Sequence, residues 1–404
     1  HAASDAAHGG VWGLARVMRL EHPVLRVLCA DAARCASSAA MARQLVAAAG
    51  SADEAELAFC PTRRAARLRK VAVGASWRAS VSGVYAITGG LGGLGLRAAA
   101  LLVERGAMSV VLASRGGRVA RDDQGLGAHL RGLGASAEVA ACDSSDLSDV
   151  LALAWRGHPL NGVLHAAGAG DKGLLVEVVA RRVQWMYAPK AFGAWYLHST
   201  TATLPLEARI LYSSVGSGLG NVGQGNYAAG NACLDALALS QRAHGVAACS
   251  LQWPLVGGAG MGAAAFASIA ELRLTITGMA GISLEQYASC LAPQLSRCRG
   301  IALSVQMAHR SDVRELLQDL ADPLQLRFGE LRAQGESVKS TAVAAPSPVT
   351  DSELAGVLAT LAPSLRQAHI ESAVLRVVRE LTGADGAALE VETPLMEAGV
   401  DSLA

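Results

Sequence analysis

Four residues, Lys190, Ser214, Tyr227 and Asn231, have the types and order that proton transfer to a carbonyl oxygen needs. Tyr227 and Asn231 stand four apart in a stretch of helical character and therefore share one helix face. Ser214 follows the apolar run Arg209 to Ser213, which places it at the carboxyl end of a strand, the edge where doubly wound sheets hold ligands. A phenol with an ordinary pKa of about 10 is a poor acid-base catalyst at neutral pH. A nearby ammonium such as that of Lys190, together with the positive charge of an oxidised cofactor, would stabilise its phenolate. Each residue taken singly reads as a surface or interface hydrogen-bonder, so the weight lies in the set and its order.

A second constellation precedes the first. Directly after the strand Val84 to Thr88 come Thr88, Gly89, Gly90, Leu91, Gly92, Gly93, Leu94 and Gly95, and a helical pattern follows at once. Glycines there allow a tight turn and let the main chain approach a pyrophosphate at the positive end of the helix. The next strand ends in Ser114 and Arg115, where an NAD-specific protein carries an acidic residue for the ribose hydroxyls; an arginine suits a 2′-phosphate, so NADPH is expected. Asp143 ends the third strand and either accepts a hydrogen bond from the adenine or is a solvated turn residue. Ala166, Ala167 and Gly168 follow the fourth strand and either let the cofactor pass close to the main chain or form a plain tight turn.

These residues need a scaffold that alternates strands and helices, and residues 84–253 have that pattern. Strands are predicted at Val84 to Thr88, Ser109 to Ala113, Ala137 to Ala141, Gly162 to Ala166, Arg209 to Ser213 and Ala247 to Trp253. The clearest helices between them are Gly95 to Arg105, Val176 to His198 and Gly223 to His244. The fold class is α/β, a doubly wound parallel sheet. Upstream, Gly9 to Leu20 reads as a helix, Leu25 to Ala30 as a strand, and Leu57 to Leu68 as mixed strand and basic sequence without a phosphate loop. Downstream, Arg314 to Leu331 reads as a helix, Gly335 to Thr350 as a Ser, Ala and Pro-rich linker, and His369 to Leu381 as an amphipathic helix.

Composition narrows the function classes. With 35 Lys+Arg against 34 Asp+Glu and no basic run, the chain lacks the cationic surplus of a nucleic-acid binder. Only 17% of residues are charged and 51% are hydrophobic, which excludes disorder throughout, and 404 residues suggest two or three domains. No uninterrupted apolar run is long enough to span a membrane. The 8 cysteines show no CxxC spacing, so free thiols in a reducing compartment and a cytoplasmic location are expected, with no metal site. The chain starts at His1 and not Met, consistent with a piece of a larger polypeptide.

Residues from about Ala79 to Gln318 resemble the ketoreductase domain of a modular type I polyketide synthase, in the short-chain dehydrogenase/reductase superfamily. The matching stretches are TGGLGGLG from Thr88, SRGG from Ser114, HAAG from His165, APKAFGAWYLH from Ala188, YSSVGSGLGNVGQGNYAAGNACLDAL from Tyr212 and QWPLVGGAGM from Gln252. The resemblance implies reduction of a β-ketoacyl thioester, with Tyr227 as proton donor, Ser214 on the carbonyl oxygen, and Lys190 and Asn231 in support. GGVWGLARVMRLEHP from Gly9 is similar to the structural subdomain that precedes the catalytic one in such domains. The stretch Pro394 to Leu403 resembles the attachment motif of an acyl carrier protein, with Ser402 as the residue that takes phosphopantetheine, a reading compatible with a helix N-cap at the same place.

The organisation so implied is a structural subdomain over 1–78, a catalytic NADPH-binding subdomain over 79–320, a helix and linker over 321–365, and a truncated carrier over 366–404. Its expected partners are the acyl carrier protein bearing the polyketide thioester and other synthase domains of the same chain. Three features depart from the family. Its Leu-Asp-Asp stereochemical signature aligns with Gly170, Asp171 and Lys172, its alternative tryptophan with Leu219, and the lid begins Pro254, Leu255, Val256 in place of Gly-Pro-Trp. A free-standing dehydrogenase and a redox-silent structural or epimerising domain are the competing hypotheses.

Overall fold

The computed structural model describes residues 8–31, 37–50, 54–60, 62–70, 80–119, 124–260, 263, 281–297, 305–307, 316–317, 320 and 323–337. Contacts divide the chain into a unit His1–Glu336 and a unit Ser337–Ala404. The carrier-like stretch, Ser402, the helix expected at His369 to Leu381 and the linker beyond Ser337 lie outside the described residues.

The first unit opens with helix α1 (Gly9–Glu21), strand β1 (Cys29–Asp31), helix α2 (Ser38–Ala49) and strands β2 (Glu56–Cys60) and β3 (Thr62–Ala65). β1 and β2 pair in parallel and β2 and β3 antiparallel, in a small sheet packed through Leu57 and Phe59 onto Ala48 of α2. The strand expected from Leu25 shrinks to β1, because the chain turns after α1, with Leu25 N–H bonded to the His22 carbonyl at 2.9 Å.

The main sheet contains β4 (Val84–Thr88), β5 (Ser109–Ser114), β6 (Ala137–Ala141), β7 (Leu160–His165), β8 (Ala208–Ser214), β9 (Cys249–Trp253) and β10 (Val305–Met307). Its order is β10-β9-β8-β7-β4-β5-β6, every pair parallel. Continuous Val, Ile, Leu and Ala runs suit strands buried on both faces, and β4 and β9 are buried at every position. Strand order reverses between β4 and β7, which opens a crevice at their carboxyl ends.

The crossovers are α3 (Gly93–Glu104), α4 (Leu126–Gly132), α5 (Leu147–Ala154), α6 (Ala180–Tyr187), α7 (Gly193–Thr201), α8 (Val215–Leu219), α9 (Gly225–Ala243), α10 (Leu284–Arg297) and, last, α11 (Gly329–Ser337). The single helix expected over Val176 to His198 is broken. A 3₁₀ turn covers Leu175–Glu177, and a π-helical turn, Ala188–Phe192, joins α6 to α7 where Pro189 removes an N–H from the helical ladder. The helix expected over Arg314 to Leu331 is likewise corrected: the described residues turn at 323–325, beginning with Pro323, pass through a 3₁₀ turn Leu326–Phe328, and enter α11, which covers the first residues assigned to the linker.

α1 packs along α9. A Cβ on Gly13 would lie 2.4 Å from the Ala228 carbonyl oxygen, so only glycine admits so close an approach. No helix among the described residues is long and apolar enough to cross a membrane.

Candidate active site

The first constellation converges at the carboxyl edge of the sheet. Ser214 ends β8 and caps α8, its Oγ accepting the Gly216 N–H at 3.2 Å. Tyr227 and Asn231 lie in the first two turns of α9, with the Asn231 amide donating to the Tyr227 carbonyl at 2.9 Å. Burial pushes the Tyr227 phenol above its ordinary pKa, and hydrogen bonding with the Ser214 and Asn231 side chains pulls the other way. Asn231 is fully buried, and its Oδ1 has no partner among the described residues.

Lys190 rides on the π-helical turn and is 5% exposed. Its Nζ donates to the Tyr212 carbonyl at 2.8 Å, and burial, partly offset by the charge of Asp235, lowers its pKa to about 8. The ammonium makes its hydrogen bond to β8, so an effect of its charge on the Tyr227 phenol would act through the field and not through a direct hydrogen bond. Gly168 packs against it: a Cβ there would lie 2.5 Å from Lys190 Cε and would displace the end of the lysine.

The glycine loop suits an anionic cofactor. α3 begins at Gly93 with no side-chain cap and no acidic residue in its first turn, which leaves its N–H groups to a phosphate. Gly89 has φ 68°, and a Cβ on it would strike the Ala166 carbonyl oxygen at 2.7 Å, so the turn after β7 closes on the loop. A Cβ on Gly92 would meet only the Gly89 oxygen at 3.4 Å, which leaves that side of the loop open to a ligand. Arg115 stands exposed past β5 without an ion pair among the described residues, and Arg118 is exposed three residues on. Asp143 serves its own turn, its Oδ1 accepting from Ser145 N–H at 2.9 Å and Ser145 Oγ at 2.6 Å.

Several supporting residues carry signals that spacing alone did not single out. His165 is fully buried between Thr88 Oγ1 at 2.7 Å and the Lys190 carbonyl at 3.1 Å. Burial and the Lys190 charge lower its pKa to about 4, which keeps it neutral. Asp235, one turn beyond Asn231, accepts from Ser217, Ser250 and Gln252 at 2.7, 2.6 and 2.7 Å and ties α8 to α9 and β9. An acidic residue in an Ala and Leu-rich helix, four after Asn231, is the cue that could have found it. Arg16 of α1 donates to Glu56 and to the Ser217 carbonyl, and Arg327 donates to the Gly218 carbonyl, so charges from both ends of the unit hold the last turn of α8.

The departures from the family signatures also have places. Asp171 accepts from Asn226 Nδ2 at 2.9 Å and Arg182 Nε at 3.1 Å, and Leu219 is buried against Leu316, Phe328 and Leu331. After β9, Gly257 N–H bonds the Ile282 carbonyl at 2.9 Å and Ile282 N–H the Leu255 carbonyl at 2.8 Å, while lid residues 264–280 lie outside the described residues.

Comparison with known proteins agrees with this geometry. Residues 83–258 match the KR domain family. The chain is 36% identical over 328 residues to the spectinabilin polyketide synthase system protein NorB of Streptomyces orinoci, covering 80% of this chain and 15% of that protein. It is 34% identical over 422 residues to polyketide synthase GfsA of Streptomyces halstedii, covering 99% of this chain and 5% of that protein. It therefore spans a small part of these relatives. Among solved structures it is similar to an A1-type ketoreductase, with TM-score 0.70 and 31% identity over 82% of this chain and 70% of that one. It is also similar to the first ketoreductase of the tylosin synthase, with TM-score 0.66 and 32% identity over 81% and 71%.

Proposed function

Because the chain belongs to the ketoreductase family of modular polyketide synthases, we propose that it reduces the β-keto group of a carrier-bound acyl thioester to a β-hydroxy group. The observation that carries this is the meeting of Ser214, Tyr227 and Asn231 at the carboxyl edge of the sheet, beside the buried cation of Lys190 and the open glycine loop.

Bound NADPH would supply the hydride delivered to the β-carbon. Ser214 Oγ donates a hydrogen bond to the substrate oxygen and stabilises the charge that develops there. Tyr227, kept protonated by its burial, gives its proton to that oxygen. Lys190, with a pKa of about 8, is mainly cationic at neutral pH and favours the phenolate left behind through its field. The unpartnered Asn231 amide oxygen is the acceptor that holds a water or the lysine for reprotonation.

Arg115, free of ion pairs among the described residues, supports a 2′-phosphate and hence NADPH over NADH. A carrier segment at 366–404 with phosphopantetheine on Ser402 is supported by the Pro394 to Leu403 pattern and by an alignment to GfsA that includes 99% of the chain. A tethered carrier raises the local substrate concentration. The other domains of such a synthase are the remaining partners, and buried free thiols such as Cys142 and Cys233 support a reducing, cytoplasmic setting.

The test is NADPH consumption with a β-ketoacyl thioester, comparing the unmodified chain with Tyr227→Phe and NADPH with NADH. Turnover that needs Tyr227 and prefers NADPH supports the assignment. Tight NADPH binding without turnover would point to a structural or epimerising domain.

A further inference from the structure

The last residue of α1, Glu21, reaches two loops that the sequence separates widely. Its Oε2 accepts the Leu175 N–H at 2.8 Å and its Oε1 accepts the Gly223 N–H at 2.9 Å. The first amide closes the loop that runs from β7 past Asp171. The second lies in the loop between α8 and α9, four residues before Tyr227. The loops also meet directly, through Gly173 N–H and the Gly223 carbonyl at 2.8 Å, and the Asp171 carboxylate accepts from the Asn226 amide, in the first turn of α9, at 2.9 Å. Gly223 has φ 72°, a conformation that frees its N–H to face α1.

We propose that Glu21 is a specificity-determining positioning residue, which clamps the two loops beside Tyr227 and thereby sets how the acyl thioester enters. A carboxylate that accepts two main-chain N–H groups makes charge-assisted bonds, stronger than neutral ones. Gly223 lies in no helix or strand and Leu175 only opens the 3₁₀ turn Leu175–Glu177, so the Glu21 bonds act together with the Gly173–Gly223 contact to fix the separation of the loops. The first carries the stereochemical signature position Asp171, and the second leads directly into α9. α1 itself touches neither Ser214 nor Tyr227 through any hydrogen bond described above. Its influence on the reaction therefore passes through the width and tilt of this entrance, and it falls on substrate pose more than on cofactor binding.

The proposal rests on the reductase function, and the experiment separates the two. The full chain and its Glu21→Ala, Glu21→Gln and Glu21→Asp variants are assayed for KM and kcat with a soluble β-ketoacyl thioester, for NADPH affinity by fluorescence, and for product configuration by chiral chromatography. Glu21→Ala is expected to raise the thioester KM by about tenfold, the loss associated with charged hydrogen bonds. NADPH affinity stays unchanged, and the ratio of product stereoisomers shifts. Glu21→Gln, which keeps one carbonyl acceptor, falls between Glu21→Ala and the unmodified chain. Should Glu21→Ala not fold, Glu21→Gln carries the comparison. An unchanged KM and product ratio, or a parallel loss of NADPH affinity, overturns the proposal. If the unmodified chain reduces no thioester, the reductase assignment fails, and the clamp is then read from amide exchange. Faster exchange at Leu175 and Gly223 in Glu21→Gln, with NADPH affinity retained, upholds it; unchanged exchange at both amides overturns it.

Discussion

Lys190 Nζ donates a 2.8 Å hydrogen bond to the main-chain oxygen of Tyr212, two residues before Ser214 on the same strand. The cation and the serine are thus fixed to one rigid element, while Tyr227 and Asn231 come from a helix that crosses its end. The π-helical turn at Ala188–Phe192 aims the lysine inward.

Replacing Tyr227 by Phe keeps the ring and removes the hydroxyl proposed as proton donor. The rate of thioester reduction is expected to fall by roughly 10²–10⁴-fold, the range for general acid catalysis, with NADPH affinity unchanged. Initial rates and a fluorescence titration check both halves. Ser214→Ala removes one donor to the developing oxyanion and should cost about 10²–10³-fold in kcat.

The Lys190 ammonium has a pKa of about 8. The rate should decline on the alkaline side with a midpoint near that value, and Lys190→Met should abolish the midpoint along with most of the rate. For stability the sign is opposite. The folded pKa lies below the ordinary 10.5, so between about 8 and 10.5 the folded chain holds fewer protons, and this residue's contribution rises with pH across that window. Unfolding midpoints of the two proteins at pH values inside the window separate the effects.

Arg115 should read the 2′-phosphate. Arg115→Ala is expected to weaken NADPH by about tenfold, the scale of a lost charge-assisted hydrogen bond, while NADH affinity changes little. Parallel titrations with both nucleotides decide it, and equal losses for the two would place the arginine elsewhere.

Glu56 anchors Arg16 and Arg19 of α1, at 2.6 and 2.8 Å, behind α8. Burial alone would raise its pKa, but Arg16, Arg327 and Arg19 outweigh burial and hold it at about 2. Glu56→Gln leaves buried cations uncompensated and should lower unfolding stability by about 3–5 kcal/mol. In the unmodified protein the stabilisation from Glu56 is complete above the ordinary 4.5 and is lost as pH falls toward about 2. Urea unfolding of both proteins across that acid range measures the difference.

Much of the scaffold is readable in the chain because its signals are local. Strand β4 and the loop from Gly89 to Gly95 are contiguous, so alternation, glycine spacing and a helix start can be read together; β4 falls where expected, while the helix starts at Gly93, two residues before the expected Gly95. The pairing of Tyr227 with Asn231 needs only a helix, and the position of Ser214 only the end of a strand. Local signals misplace the breaks that proline imposes at Pro189 and Pro323, because apolar periodicity continues through them.

What residue order alone determines here is the α/β class, the glycine loop and the candidates Lys190, Ser214, Tyr227 and Asn231. The tertiary structure decides the partners. His165 meets Thr88 across 77 positions, Lys190 meets the Tyr212 carbonyl across 22, and Glu21 meets Leu175 across 154 and Gly223 across 202. Such contacts depend on which strands become neighbours and on how α1 lies along α9. Periodicity within any one segment says nothing about either, because both follow from burying surfaces that lie far apart in the chain.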